Sequence, residues 1–348
     1  MQADETPLSR KRTRASPRND NPPSLSKDEE FWYEDGTLVL IAANIEFRVY
    51  RGPLAKHSPV FRDLLALPQP PSSQSAPSTP IGSDTCPPCP KVHVTDSPSD
   101  LRHFLRAFVP GGTLDGALDA PKFGAVSAWI RLGHKYEVDK LVENSLQYLR
   151  RFYPKVLSES LSVCSGPIKK DRPEDVQGPH AIAIVNLARL TGSNDLLPLA
   201  LLECCKLGAG IVSGYVREDG TVEHLHPDDL GRCFAAKEKL ALRVVSAYLH
   251  VFEVPRDDDE GCLDSEECRE ALRESMQMFR LVGVDWVKVD ELLEHERMEL
   301  LTIENYSLCA HCREEAQKVI IKHRKQFWNA LPRLFNVDVD GWALIAAK

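Results

Sequence analysis

Cysteine is the residue type whose spacing in this sequence most directly predicts chemistry. Cys309 and Cys312 are separated by two residues just before a helical pattern, and a C-x-x-C pair can place two thiolates on one metal ion. A structural zinc ion needs two further ligands. Cys262 and Cys268, which lie together in an acidic stretch, supply them. The sequence therefore predicts a structural zinc site formed by these four cysteines.

Two observations leave both the ligand set and the presence of the metal open. Five residues separate Cys262 from Cys268, which is wider than the usual spacing of paired zinc ligands. Cys233 and His311 are substitute ligands for either of them. The alternative is that these cysteines are free thiols, buried or at the surface.

The remaining cysteines predict no site. Cys86-Pro-Pro-Cys89 matches a redox C-x-x-C pattern, but it stands in a proline-rich stretch and not at a helix N-terminus, so we expect loop thiols. Cys204 and Cys205 lie in an apolar helical stretch and are expected in the core. Ten cysteines without a secretory signal pattern favour a reducing compartment, and so an intracellular protein of the cytoplasm, the nucleus or both.

Other short motifs lack the residues or the spacing that catalytic, cofactor and metal sites require. Gly208–Gly214 departs from the dinucleotide-binding glycine spacing, and a hairpin pattern follows it where a helix is required. His295–Glu299 lacks the second histidine of a zinc protease, and the acidic run Asp257–Glu260 lacks the spacing of an EF-hand. We therefore expect no catalytic residues and no cofactor other than the zinc ion, and predict that the protein is not an enzyme.

Composition and charge narrow the class of protein. The chain has 348 residues, of which 43% are hydrophobic and 27% charged, so we expect a folded protein of two or three domains. No apolar run is long enough for a membrane-spanning helix. The net charge of −8 argues against a nucleic-acid-binding surface over the whole protein.

Two stretches have the composition of unpacked chain. Residues 1–30 are polar and charged and are expected to form a disordered arm. The arm holds a basic cluster that is either a solvated tail or a nuclear import signal: Arg10, Lys11, Arg12, Arg14 and Arg18. Residues 68–90 are rich in proline and serine and are expected to form a flexible insertion.

Residues 31–154, apart from the insertion, carry the pattern of an α+β domain. An apolar strand at Thr37–Ala42 is followed by alternating residues from Ile45, and "KVHVTD" alternates again after the insertion. Ser97 and Pro98 then begin a helix with the signature of an N-cap and a first-turn proline. Two more helices are expected near Phe123–Tyr136 and Val138–Phe152.

Residues 155–348 are expected to form a mainly helical domain with one hairpin. Asp219-Gly220 is typical of a two-residue turn in that hairpin. The last helical pattern, "KHRKQFWNALPRLF", is amphipathic. Its apolar residues Phe327, Leu331 and Leu334 either dock a partner or pack on the protein's own core.

The stretch "DGTLVLIAANIEFRVYRGPLAKHSPVFRDLLALP" resembles the start of a BTB/POZ domain, in the form found in the large fungal (basidiomycete-type) BTB family. The residues that carry this resemblance are Asp35-Gly36, Phe47-Arg48-Val49, Leu54-Ala55, Ser58-Pro59 and Phe61. "VTDSPSDLRHFLRAFVPG" and "WIRLGHKYEVDKLVENSLQYLRRFYP" resemble the third strand and the later helices. "CAHC" and "FWNALPRLFNVDVDGW" resemble the region that follows the domain in these proteins.

The resemblance implies a BTB/POZ fold and a protein-interaction function without chemistry. Such domains commonly self-associate, so a homodimer is expected, and some recruit a further protein, including cullin ubiquitin-ligase scaffolds. Two alternatives are a substrate adaptor of that ligase type and a nuclear, transcription-linked factor that uses the basic arm. Phe31, Trp32 and Tyr33 are the predicted interface, since three aromatics stand where the polar arm ends, whereas Leu54 and Phe61 are expected in the core.

Overall fold

The structure, a computed structural model, describes residues 25–67, 89–109, 121–157, 178–253, 261–262, 265–282, 288–289, 291–294 and 308–344. The basic cluster, nearly all of the insertion, Cys86, the run Asp257–Glu260 and His295–Glu299 lie outside these residues. The described chain is an α+β protein in which helices dominate and one four-stranded sheet lies near the N-terminus. No helix in the described ranges is long and apolar enough to cross a bilayer.

The main sheet forms from the alternating segments that the sequence indicated, with one further strand. Its strands are β1 (Ser26–Trp32), β2 (Leu38–Ala42), β3 (Ile45–Val49) and β4 (Lys91–Val94), in the order β1-β3-β2-β4. β2 and β3 form an antiparallel hairpin, while β4 pairs parallel with β2 and β1 pairs parallel with β3. β2 is buried along its whole length, which explains its unbroken apolar sequence.

Strand β1 corrects the predicted extent of the N-terminal arm, because residues 26–30 belong to the sheet. The sequence of β1 does not indicate a strand, because one of its buried positions holds a carboxylate and not an apolar side chain. This residue is Asp28, which precedes Phe31 by three positions and is only 3% exposed. Asp28 accepts hydrogen bonds from the backbone N–H groups of Glu30 and Phe31 and a 2.6 Å bond from Arg102 Nε. Arg102, which is distant in the sequence, therefore compensates the buried charge of Asp28. From the sequence alone this carboxylate is expected in solvent.

Five helices complete the N-terminal part: α1 (Arg51–His57), α2 (Pro59–Ala66), α3 (Pro98–Arg106), α4 (Phe123–Lys135) and α5 (Asp139–Arg150). Ser58 caps α2 by accepting a hydrogen bond from Phe61 N, and its hydroxyl donates to Tyr136 O at 2.6 Å. Ser97 caps α3 by accepting from Asp100 N, as the sequence predicted. The Ser58 side chain thus ties the entry of α2 to the end of α4.

The C-terminal part is mainly helical, as predicted. Its helices are α6 (His180–Thr191), α7 (Leu197–Lys206), α8 (Gly210–Ser213), α9 (Pro227–Phe252), α10 (Ser265–Val282), α11 (Glu291–Glu294) and α12 (Ala310–Leu334). Short strands β5 (Val156–Leu157) and β8 (Ala343–Leu344) pair in parallel, and β6 (Tyr215–Val216) and β7 (Val222–Glu223) form the expected hairpin. Helix α6 ends at Gly192, whose φ of +69° suits a glycine C-cap.

The hairpin turn has three residues, not the predicted two. Arg217 N donates to Thr221 O at 2.8 Å, so this pair closes the ladder, and Gly220 N donates to Arg217 O. Gly220 takes a φ of +81°, the left-handed conformation that three-residue hairpin loops require of their last residue. Asp219-Gly220 therefore lies in the turn, but Glu218 belongs to it as well.

One hydrophobic core runs across residue 154, where the sequence predicted a domain boundary. Helix α4 of the N-terminal part packs on α6 of the C-terminal part. Phe123 contacts both His180 and Tyr215, with ring centroids 5.0 and 5.9 Å apart. These contacts join the two predicted domains through a shared interior.

The terminal helix α12 packs on the protein's own core. Phe327 and Leu331 are 1% and 0% exposed, and Trp328, also buried, stacks on Trp342 with ring centroids 4.7 Å apart. The packing interpretation of this amphipathic segment is confirmed. Phe327 and Leu331 are not free to dock a partner, because the core already covers them, whereas Leu334 is half-buried.

The predicted interface aromatics have different environments. Phe31 is only 2% exposed and belongs to the core, because β1 turns it inward, and the interface role of this segment stays a prediction. Trp32 and Tyr33 are half-buried, and Tyr33 stacks on Tyr50 with ring centroids 5.2 Å apart. Leu54, expected in the core, is 1% exposed.

The burial of Phe31 predicts that Phe31→Ala destabilises the fold by about 3–5 kcal/mol, the usual cost of removing a buried aromatic ring. Tyr33→Ala, which removes a half-buried ring beside it, should cost about 1 kcal/mol. Urea unfolding followed by circular dichroism measures both values. Equal losses for the two variants would contradict the inward placement of Phe31.

Charged side chains hold the β6–β7 hairpin against the N-terminal part. Asp100 accepts hydrogen bonds from both Arg131 and Arg217. Arg131 also donates to Glu223 at 2.7 Å, so one guanidinium joins α3, α4 and β7. At the turn, Glu218 lies 2.8 Å from His103 Nε2.

These contacts predict that part of the free energy of unfolding is lost in acid. Partial burial opposes ionisation of Glu218, but hydrogen bonds from His103 and Ser99 prevail and lower the pKa of its carboxyl below the usual value. A carboxyl with a lowered pKa in the folded state stabilises the fold above its ordinary pKa. This contribution is lost as the pH falls through the lowered value, below about pH 4.

Between neutral pH and about pH 3 the wild type should therefore lose more unfolding free energy than Glu218→Gln. Urea midpoints measured across this range test the difference. Glu29→Gln, at an exposed position of β1, is the control and should follow the wild type. Identical pH profiles for the wild type and Glu218→Gln would refute the contribution.

Candidate functional site

The four cysteines predicted as metal ligands come together in the fold. The sulfur atoms of Cys262, Cys268, Cys309 and Cys312 all lie within 4.8 Å of one another. Residues almost fifty positions apart in the sequence are thus brought into one cluster. The predicted convergence of the two cysteine pairs is confirmed.

Helix N-termini position both pairs. Cys262 precedes α10 and Cys268 lies in its first turn, while Cys309 is the N-cap of α12 and Cys312 lies in its first turn. Backbone N–H groups point at the sulfurs: Cys309 N donates to Cys268 Sγ at 3.3 Å and Cys312 N to Cys309 Sγ at 3.4 Å. The positive end of α12 therefore faces the cluster and favours negatively charged sulfur.

The spacing of the sulfurs suits a tetrahedral ion. Cys262 Sγ lies 3.4 Å from Cys312 Sγ and 3.8 Å from Cys309 Sγ. Four thiolates at a zinc–sulfur distance of about 2.3 Å form a tetrahedron with edges of about 3.8 Å. The observed spacing is close to these edges, so the donor set fits such an ion with small side-chain adjustments.

The cluster is open to solvent on one side only. Cys268 and Cys312 are 1% and 0% exposed and pack in a small apolar core with Leu272 and Leu308. Cys262 and Cys309 are half-buried and form the outer side. An ion would therefore enter past these two sulfurs and be shielded behind by the apolar core.

Burial sets the protonation of the inner sulfurs. Burial raises the pKa of both Cys268 and Cys312, and the hydrogen bond that the Cys312 thiol donates to Cys262 Sγ adds to the increase at Cys312. A coordinated cation reverses this preference, since a thiol that binds a metal loses its proton. Metal binding at this cluster would therefore release protons.

The two substitute ligands lie outside the four-sulfur cluster. Cys233 is buried between α7 and α9, where its backbone carbonyl accepts a hydrogen bond from Cys205 Sγ. His311 lies beside the cluster and packs so closely on Gly261 that a Cβ at that position would fall 2.4 Å from its ring. A side chain at position 261 would therefore force the imidazole of His311 to move.

The other described cysteines have structural environments. Cys204 and Cys205 are buried in α7, as expected, and burial raises the pKa of Cys204 well above its ordinary value. Cys89 donates its thiol hydrogen to Gly36 O at 3.0 Å. None of these three belongs to the four-sulfur cluster.

A second candidate site is an apolar groove in the N-terminal part. It encloses about 350 Å³ between β1, β3, α1 and α3. The residues that line it are Phe31, Tyr33, Val49, Tyr50, Pro53, Leu54, Leu105, Phe108 and Val109. The sequence pointed to this region through its aromatic residues, but it placed Phe31 at the surface, whereas Phe31 forms part of the groove floor.

Comparison of the chain with models of protein families, with curated proteins and with solved structures finds no match. The cysteine cluster and the apolar groove are therefore interpreted from their own geometry and chemistry.

Proposed function

We propose that this chain is a non-catalytic, intracellular protein-interaction protein. In this proposal its N-terminal part is a BTB/POZ-type module that associates with a second copy and recruits a further protein. The motif residues that resemble that family support the assignment, and so does the order of elements: a strand hairpin, two short helices, a parallel strand and three helices.

The apolar groove is the observation that carries this proposal. Its walls are almost wholly apolar, and Tyr50 at its rim remains 40% exposed. A contiguous apolar surface bounded by polar residues is typical of sites that bind protein. Aromatic residues such as Tyr33 and Tyr50 contribute strongly to such interfaces.

A second copy of the chain is the occupant that we propose for the groove. In a two-fold dimer the same surface patch meets itself, so apolar residues on both rims become buried together. Val109, shortly after α3, and Pro53, in α1, both line the groove. A charge placed at either position would be buried without a partner in the dimer.

Val109→Asp should therefore weaken self-association at least about tenfold without unfolding the chain. Light scattering coupled to size exclusion, on the full chain at two concentrations, measures the oligomer. The matched control is Val216→Asp, which places the same charge on the hairpin at a side chain that is 63% exposed.

A dimer that responds to Val109→Asp and not to Val216→Asp supports the groove as the interface. A strict monomer at both concentrations would remove self-association from the proposal. A dimer that both variants leave intact would place the interface elsewhere.

We also propose that the four-cysteine cluster binds one structural zinc ion. The donor set supports zinc, since four thiolates in a closed tetrahedron are its usual structural site. The ion would hold the N-terminus of α10 to that of α12 and so stabilise a small core that has few other contacts. This role requires no open coordination position and no reaction.

Zinc should therefore copurify with the full chain at one ion per chain when no chelator is used. Cys312→Ser should abolish stoichiometric binding, and removal of the ion should lower the melting temperature, because binding energy contributes directly to folding. Mass spectrometry of the metal and thermal unfolding measure the two effects. Cys89→Ser, away from the cluster, should keep its zinc; equal zinc content in both variants would contradict the site.

A further inference from the structure

Two packed helix segments in the C-terminal part contain no acidic residue. The chain has 51 Asp and Glu residues, yet none occurs in 239–252 of α9 or in 316–334 of α12. At the average acidic content of the chain these segments would hold about five. Their cationic residues are Lys239, Arg243, Lys318, Lys322, Arg324, Lys325 and Arg333, of which Lys318 is paired with Glu314 and Glu315 and Arg324 is buried. A chain of net charge −8 therefore has a local region of positive charge.

A cleft between α9 and α12 lies in this region. It encloses about 390 Å³ and is lined by Arg243 from α9 and by Gln326, Asn329, Ala330, Arg333 and Leu334 from α12. Arg243, Gln326, Asn329 and Arg333 are exposed, while Ala330 and Leu334 are half-buried. Cationic and amide groups thus form the rim of the cleft, and apolar groups form part of its floor.

The two guanidinium groups of this cleft lack carboxylate partners among the described residues. Some arginines elsewhere in the fold are paired, such as Arg150 with Asp195 at 2.7 Å and Arg189 with Asp229 at 2.6 Å. Two arginines that converge on one cleft without an acidic partner leave their hydrogen-bond donors available to an external anion.

We propose that the cleft between α9 and α12 binds an acidic peptide segment of a partner protein. Side-chain carboxylates of that segment pair with Arg243 and Arg333, and the amides of Gln326 and Asn329 bond to its backbone. An aliphatic side chain of the segment contacts Ala330 and Leu334. This surface shares no residue with the apolar groove or the cysteine cluster, so it extends the proposed function independently of both.

The lining favours a peptide over a nucleic acid. No aromatic side chain lines the cleft, so bases would find no surface on which to stack. The negative charge of the whole chain repels a long polyanion more than a short acidic segment. The amide groups and the apolar floor match a peptide backbone and its aliphatic side chains.

The probe is a short fluorescein-labelled peptide in which leucines are interspersed among glutamates. Its binding to the full chain is measured by fluorescence anisotropy. A peptide with glutamine in place of every glutamate, and labelled oligothymidine, serve as comparison probes. The acidic peptide should bind, and added salt should weaken it. Arg243→Glu and Arg333→Glu should each weaken binding by about tenfold or more, because a guanidinium–carboxylate pair becomes a repulsion.

Lys237→Glu is the matched control. It makes the same charge change at an exposed position of α9. Lys237 is six residues from Arg243, a spacing that places the two side chains roughly 120° apart around the helix. It should leave peptide affinity nearly unchanged, and circular dichroism should show all three variants folded. The cleft lies roughly 20–30 Å along α12 from Cys309–Cys312, so metal loss reports on a different site.

Equal weakening by Lys237→Glu would show a diffuse charge effect and overturn the cleft as the site. Binding of the glutamine peptide as tightly as the acidic one would overturn the acidic chemistry. Stronger binding of oligothymidine than of the acidic peptide would assign the cleft to nucleic acid and refute the peptide proposal.

Discussion

The burial of helix α4 is the constraint on which the rest of the fold depends. It packs against α3, α5 and α6, so apolar residues cover nearly its whole circumference. Gly133 allows the close approach of α5, since a Cβ there would fall 2.8 Å from Val142. Trp129 donates to His103 O at 2.7 Å, and Arg131 joins the hairpin. Helix α4 thereby joins the N-terminal part and the C-terminal part in a single core.

Charge in this protein is organised by pairing. Several arginines on the packed surfaces have carboxylate partners, such as Arg131 with Asp100 and Arg189 with Asp229, and even the edge strand β1 contains a buried acid, Asp28, held by Arg102. Arg243 and Arg333, by contrast, have no carboxylate partner among the described residues, although the chain contains 51 acidic residues. Pairing at the interior contributes to the fold, and its absence at one cleft leaves donors for a ligand.

The sites that we propose occupy separate parts of this framework. The groove lies between the sheet and the first helices, where Phe31 and Leu54 belong both to the core and to the groove wall. The cysteine cluster joins α10 to α12 at their N-termini, outside the main core. A dimer interface, a metal centre and a peptide cleft at separate positions are consistent with a scaffold that assembles other proteins.

Strong local signals in the sequence were enough to predict the β2–β3 alternation, the Ser97 cap and the four cysteines as a candidate set. These signals depend on neighbours within a few residues. Strand β1, the inward position of Phe31 and the shared core needed tertiary partners such as Arg102, which lies 74 residues from Asp28. Only the folded chain decided those features, because burial depends on which distant segments pack together and not on local pattern.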